Sequence, residues 1–483
     1  MLEKTTLAPG LTVSRVITGL WQIADLERNG TTLDPNETSK FMAPYVKAGF
    51  TTFDMADHYG SSEIITGTFK NEHPLGTQVQ LFTKWVPEPG KISKEDVRKA
   101  IQLALDRMQQ KSIDLMQFHA WHYPDPSWLD GLFFLKELQE EGLIKHIGVT
   151  NFDSAHLRIA LASGIPIVSN QICHSVIDRR ANGDLAKVCE EYQVKLLAFG
   201  TLAGGFLTEK WLNKPEPSQE DLKTWSEMKY KRFIDAAGGW DPYQKLLGTL
   251  NKVAVKHGVS LANIASRFIL ESDSVAAVII GARLGKSEHI QDNQQMLDIT
   301  LSKEDLETIR KAQDQLVMIP GDCGDEYRKP PFLTASGDLS HHLKSIPKPF
   351  EAIKTRDQRT QIFSGTVWEE FAGYCRAVKD GNRIHVSGTT ATHGDKSIGG
   401  NDPTAQTHFV IDKIEGAIES LGGTLADVIR TRIFVNDLND WEAVARAHGN
   451  RFKGINPANT LVEAKLVGQG YLVEIEAEAV LNG

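Results

Sequence analysis

The sequence predicts an α/β chain in two parts, a closed (β/α)₈ barrel over residues 1–325 and a smaller α+β domain over residues 355–483. Three observations carry this. Short apolar runs alternate with amphipathic helical stretches from the start, about eight times in roughly 300 residues, which fits a closed barrel better than an open sheet. A stretch rich in proline and glycine then interrupts the pattern after Met318. Beyond it the spacing changes to a few alternating strands and two helices.

In order, strands are expected at Val79–Trp85, Ile113–Trp121, Ile144–Thr150, Ile167–Gln171, Lys195–Phe199 and Val275–Ile280. Between them, Lys94–Arg107, Trp128–Glu141 and Asp184–Tyr192 carry helical spacing. An irregular insert, Leu212–Asp241, follows the seventh strand. Residues 326–354 hold Pro330, Pro331, Pro347 and Pro349 without a sustained period, and form the connection or a lid. Gly321–Arg328, at its start, is the part that can fold over a barrel mouth. The second domain is predicted from a strand at Arg383–Ser387, a helix at Thr404–Leu421, strands near Val428–Val435 and Leu472–Val480, and a helix at Asp440–Phe452.

Hydrophobic residues make up 41% of the chain and charged residues 24%, the balance of a soluble globular protein. No run of about 18 apolar residues occurs, which excludes a membrane-spanning helix. Net charge is −9 without a basic tract, which argues against nucleic acid and anionic membranes as partners. Cys173, Cys189, Cys323 and Cys375 show no CxxC spacing. That speaks against a zinc site or a disulfide framework and for a reducing compartment, and the opening Met1-Leu-Glu-Lys-Thr-Thr lacks leader character. The expected location is cytoplasmic, with no metal.

Barrel enzymes keep their chemistry at the C-terminal ends of strands. The polar groups that end or follow apolar runs there are Asp54, Tyr59, Lys84 and His119. Each alone reads as a cap, a surface charge or a core histidine. Four on three successive strands suit carbonyl reduction, in which the oxygen gaining negative charge must meet a proton donor. A free tyrosine, with a pKa of about 10, exchanges protons slowly at neutral pH, and an ammonium such as Lys84 favours its phenolate. Asp54 would orient Lys84, and His119 would hold the carbonyl oxygen beside Tyr59. Trp21, Trp85, Trp121 and His122 are expected to wall the substrate pocket, suiting a planar ring or a sugar face.

Phe53-Asp54-Met55-Ala56-Asp57-His58-Tyr59-Gly60, with Phe82-Thr83-Lys84, Gln117-Phe118-His119 and Glu141–Phe152, resembles the aldo-keto reductase superfamily over about residues 8–325. The resemblance implies that Thr150, Asn151 and Gln171 hold a nicotinamide carboxamide and that Phe199 stacks on its ring. It implies too that the loop Ala198–Gly205, with Leu202 and Gly204, cradles a pyrophosphate. Arg283, with His289 and Asn293, matches the contact to a 2′-phosphate, so NADPH is expected over NADH. The alternative is a nicotinamide-binding sensor or assembly subunit without turnover, which has no need of the four catalytic groups.

Residues from about 355 to 483 resemble the reactive-intermediate deaminases (Rid), a chorismate-mutase-like α+β fold, through Gly373-Tyr374, Val386-Ser387-Gly388, Asn456-Pro457-Ala458 and Val473–Ala477. By that match Tyr374, Ser387, Asn459 and Glu474 fall at cleft positions. Asn459 stands where active members carry the arginine that grips a carboxylate, and an amide cannot form that bidentate charged pair. The domain is expected either to assemble a homotrimer, or a multiple of three, or to hydrolyse an imine or enamine to a carbonyl that the barrel then reduces.

Overall fold

The computed structural model describes residues 2–25, 30–286, 289–334, 343, 345–355 and 357–481. Eight parallel strands close the barrel: β3 (Val16–Gly19), β4 (Thr52–Asp54), β5 (Gln80–Trp85), β6 (Leu115–His119), β7 (Ile147–Thr150), β8 (Ile167–Cys173), β9 (Lys195–Phe199) and β10 (Val275–Gly281), with β10 pairing back to β3. A hairpin of β1 (Lys4–Ala8) and β2 (Leu11–Ser14) precedes them. Its Leu7, Leu11 and Val13 share a buried cluster with Ile17, Phe82, Leu115 and Leu197.

The pleat decides which side chains reach the interior, because neighbours on a strand point to opposite faces. On β5, Phe82 and Lys84 face inward; Trp85 faces outward and packs on Phe118 with ring centroids 5.5 Å apart. The expected helices form at Lys94–Met108, Ser127–Glu140 and Asp184–Tyr192. Ser93 starts the first of these with a reciprocal capping box to Asp96. The insert after β9 is irregular only in its first half. It holds a helix, Trp225–Ala236, started by a second capping box between Thr224 and Glu227.

Past the barrel helix Lys303–Gln313, a short helix Asp325–Arg328 packs back on the barrel. The buried Arg180 bonds Glu326 at 2.8 Å and the Asp322 carbonyl at 2.8 Å, and Leu333 is buried in a barrel cluster. Residues 335–342 and 344 of the expected connection lie outside the described residues.

The second domain has β11 (Ala352–Lys354), β12 (Thr360–Ile362), β13 (Ala377–Asp380), β14 (Arg383–Thr390), the two-residue strands β15 (Thr392–His393) and β16 (Lys396–Ser397), β17 (Val428–Val435), β18 (Ala458–Glu463) and β19 (Val473–Val480). The main sheet runs β11-β12-β13-β14-β19-β17-β18, antiparallel except between β17 and β18. Val473, Ile475, Ala477 and Ala479 are buried on one face of β19, with Ile433 and Val435 of β17 and the helices Pro403–Ser420 and Trp441–Phe452 in the same core cluster. Helix Pro403–Ser420 also lies against barrel helix Ser154–Ala162. Polar contacts cross this boundary: the Arg158–Asp402 ion pair at 2.5 Å, and His122 with Glu419 and His393 with Asp130, each at 2.8 Å.

Candidate active site

A cavity of about 900 Å³ opens at the C-terminal ends of the barrel strands, lined by Asp54, Tyr59, Lys84, His119 and Trp21 among others. Asp54 ends β4 and Lys84 precedes the last residue of β5, so both face inward. The Lys84 ammonium donates to Asp54 Oδ2 at 2.5 Å and to the Met55 carbonyl at 2.7 Å. The other carboxylate oxygen, Oδ1, accepts from Gln117 at 2.9 Å and Gln171 at 2.8 Å. The carboxylate is therefore held on both oxygens, and it aims a buried cation.

Tyr59 ends a short turn, Asp57–Tyr59, just after β4. Lys84 Nζ lies 5.3 Å from the centre of its ring, and Trp21 packs edge-on at 5.1 Å. The chain leaves Tyr59 through Gly60 at φ 67°, where a Cβ would strike the Asp25 carboxylate. That carboxylate accepts from Ser61 N at 3.1 Å and Ser61 Oγ at 2.7 Å, fixing the turn. His119 closes β6 with Nδ1 3.4 Å from the Thr150 carbonyl. Its ring meets Trp121 at 4.5 Å and Tyr327 at 5.8 Å.

The expected cofactor residues Thr150, Asn151, Gln171, Phe199, Leu202, Gly204, Arg283, His289 and Asn293 all line the same cavity. Asn151 sits at φ 58° with its Oδ1 buried and without a hydrogen-bond partner among the described residues, an acceptor suited to a ligand amide. Gly200 (φ 73°) and Gly204 (φ 62°) bend the loop after β9 under Tyr230, and a Cβ on either would collide with that ring. Bare backbone therefore faces the cavity there. Arg283 is exposed and donates to Gln22 at 3.2 Å. Lys286 and His289 line the same rim, so the residues present fit a nicotinamide dinucleotide.

Of the four expected wall residues only Trp21 lines this cavity. Trp85 points into the layer between strands and helices. Trp121 is buried behind His119, donating to the Pro87 carbonyl at 2.8 Å. His122 is taken up by Glu419 of the second domain. Sequence reading missed Gln117, Lys229, Tyr230 and Tyr327. Gln117 was within reach, because it stands two residues before His119 on the same face of β6. Lys229 and Tyr230 lie in the insert helix, and Lys229 donates to the Tyr327 hydroxyl at 2.8 Å.

In the second domain the four cleft positions do not converge within one protomer. Asn459 donates to Thr431 Oγ1 at 2.9 Å, beside His448 of the covering helix. Glu474 alternates with the buried Val473 and Ile475 and so projects from the opposite face. Its carboxyl sits against Gly388, and burial raises its pKa against the pull of Arg376. Ser387 donates to the Cys375 carbonyl at 2.8 Å, and Tyr374 is half-buried. Arg376, not singled out from sequence, is buried and donates to the Gly388 carbonyl at 2.6 Å.

Residues 15–314 match the family model described as "Aldo/keto reductase family". The chain belongs to the aldo/keto reductase family. Residues 368–481 match a second model, described as "Endoribonuclease L-PSP", the Rid-like part of a fusion. The chain is similar to the aldo-keto reductase YhdN of Bacillus subtilis, 25% identical over 68% of this chain and 98% of that one. It is 24% identical to the NADH-specific methylglyoxal reductase of Escherichia coli, over 63% of this chain and 96% of that one. The glycerol dehydrogenase structure from Gluconobacter oxydans shares the barrel fold, with a TM-score of 0.53 and 21% identity over 65% of this chain and 95% of that one. As a member of that family, the chain is an oxidoreductase of the NAD(P)H-dependent type.

Proposed function

We propose that the protein reduces an aldehyde or ketone to an alcohol with NADPH, and that Tyr59 is the proton donor. The observation that carries this reading is the Asp54–Lys84 pair, closed at 2.5 Å and set 5.3 Å from the Tyr59 ring. A nicotinamide held in this cavity would supply a hydride to the carbonyl carbon. The Tyr59 hydroxyl gives its proton to the carbonyl oxygen, and the Lys84 ammonium stabilises the phenolate left behind. His119 holds the oxygen near Tyr59 as charge grows on it. Asp54, bonded by Gln117 and Gln171, keeps Lys84 from swinging to another acceptor.

Asn151, with Thr150 and Gln171, would hold the carboxamide, Phe199 would carry the ring, and the Gly200–Gly205 backbone would face the pyrophosphate. Arg283 is the contact that selects NADPH, since only NADPH has a 2′-phosphate for a guanidinium to grip. One similar protein is named as NADH-specific, so this assignment rests on Arg283. The Rid-like domain assembles the subunits, as a trimer or a multiple of three. Asn459 on the covered face and Glu474 on the open one argue against a hydrolytic cleft built within one protomer.

The test is NADPH and NADH oxidation by the full chain against aldehydes, ketones, keto-sugars and cyclic imines, repeated with Tyr59→Phe. Turnover of a carbonyl that Tyr59→Phe loses supports the reading. Cofactor binding without turnover of any carbonyl would instead favour the sensor.

A further inference from the structure

Arg328 ends the short helix Asp325–Arg328, beyond the matched barrel residues, yet its guanidinium reaches two strand-end loops of the reductase site. Nε donates to the Ala120 carbonyl at 2.9 Å and Nη2 donates to the same oxygen. Nη1 donates to the Asn151 carbonyl at 2.7 Å and the Gly324 carbonyl at 3.0 Å. Ala120 directly follows His119, and Asn151 directly follows Thr150. One planar fork thus ties the loop after β6 to the loop after β7, with donor geometry that an ammonium cannot copy. Gly324 permits the approach, because at φ 85° a Cβ there would strike both the Asn151 carbonyl and Arg328.

The other side of the guanidinium is supported in turn. It lies 4.4 Å from the centre of the Tyr123 ring. His156 stacks on the same Tyr123 ring at 3.4 Å with planes 5° apart. His156 bonds Asp153 at 2.6 Å and, across the domain contact, Asp412 of helix Pro403–Ser420 at 3.0 Å. Asp412 is anchored within its own domain by Arg451 at 2.5 Å. A chain of contacts, buried up to the half-buried Arg328, therefore runs from the Rid-like domain to the backbone that carries His119 and Asn151.

We propose that Arg328 is a positioning residue of the reductase site and that the Rid-like domain holds it in place through Asp412, His156 and Tyr123. This rests on the carbonyl-reductase reading, since it is that site's loops which are held. It gives the second domain a part in the barrel's chemistry without placing any of its residues in the cavity.

The test uses full-length Arg328→Ala, Arg328→Lys and Asp412→Asn. NADPH affinity is read by quenching of intrinsic fluorescence, and amide hydrogen exchange is read over residues 120–124 and 151–153 without cofactor. Losing a charge-assisted clamp on Asn151 should weaken NADPH about tenfold in Arg328→Ala. Arg328→Lys should lose nearly as much, and both should exchange faster in the two loops. Methylguanidine should restore binding to Arg328→Ala, where it finds a vacated space, and not to Arg328→Lys. Asp412→Asn should move both readouts the same way, and its double variant with Arg328→Ala should lose less than the product of the single losses, because the two act along one path. Unchanged loop exchange with binding within twofold of wild type overturns the role of Arg328, and multiplicative losses overturn the link to Asp412. Should Arg328→Ala not fold, Arg328→Lys carries the comparison. A wild type that binds neither NADPH nor NADH defeats the reductase reading instead, and loop exchange still decides Arg328.

Discussion

The Lys84 ammonium is bonded to Asp54 at 2.5 Å and lies over the Tyr59 ring, 5.3 Å from its centre, so one buried ion pair stands beside one phenol. If that phenol is the proton donor, Tyr59→Phe removes the proton and leaves the cofactor cradle intact. Carbonyl reduction should fall by about 10²–10⁴, the usual loss with a positioned acid. NADPH affinity should stay within about threefold, by the ordinary scale of a lost contact that the cofactor does not use. Steady-state rates on the best substrate, with a fluorescence titration alongside, check both. Turnover above half of wild type would remove Tyr59 from the mechanism.

Asp54 should behave differently from Tyr59. Asp54→Asn keeps the shape but leaves a buried ammonium facing a neutral amide, and breaking one side of a buried pair typically costs about 3–5 kcal/mol. Both turnover and stability should therefore drop, whereas Tyr59→Phe should leave stability nearly unchanged. Urea unfolding of the two variants separates them; equal stability losses would contradict the assignment of structure to one and chemistry to the other.

Arg283 is exposed and bonded only loosely, to Gln22 at 3.2 Å, so it is available to a phosphate. Arg283→Ala should weaken NADPH by about 10–100-fold, the scale of a lost charge-assisted pair, while NADH changes little. Titration with each cofactor is the measurement. Equal losses would hand the phosphate contact to Lys286 or His289.

His156 makes the domain contact sensitive to pH. Burial opposes its charge, but the carboxylates of Asp153 and Asp412 outweigh that and raise its pKa above the ordinary 6.5. Because the folded value is the higher one, the added stability is fully present below about pH 6.5 and is lost as pH rises through the folded value. Arg451, on the far side of Asp412, keeps that carboxylate ionised throughout. Wild type should therefore exceed His156→Gln by about 3 kcal/mol at pH 6, and by clearly less at pH 9. Denaturant midpoints at the two pH values decide it, and a gap that does not move with pH would mean that His156 is neutral in the fold.

The sequence carried the barrel and its four polar strand ends because both are local. Alternation of strand and helix, and a polar residue closing an apolar run, can be read within a few residues. The pocket wall was harder. Trp85 follows Lys84, and period-two alternation alone sends it outward, so its misplacement came from composition overriding the pleat. His122 is drawn away by Glu419 and His119 is met by Tyr327, partners some 200 to 300 residues distant, and no local pattern encodes either. In the second domain β17 and β19 were legible from their buried alternation. The edge strand β18 was not, since most of its residues are exposed and it shows no apolar period. The opposed faces of Asn459 and Glu474 depend on that missing strand.

Assembly through the Rid-like domain is the last expectation, and one short helix makes it testable. Val367–Ala372 leaves Val367, Trp368 and Phe371 at 77%, 56% and 83% exposure, a degree that large apolar side chains seldom keep in water unless something covers them. These side chains add little to the protomer's own core, so changing them tests assembly without testing folding. Closed cyclic symmetry lets one such patch be covered in every subunit at once. Wild type should run at three protomer masses, or a multiple of three, in light scattering. Trp368→Glu with Phe371→Glu should fall to the protomer mass, with circular dichroism unchanged, since charges placed in a shared apolar contact cost more than the contact returns. A monomeric wild type would defeat the assembly role. A double variant that keeps the wild-type mass would move the contact off this helix, to the open face of the sheet where Glu474, Glu476 and Glu478 line up.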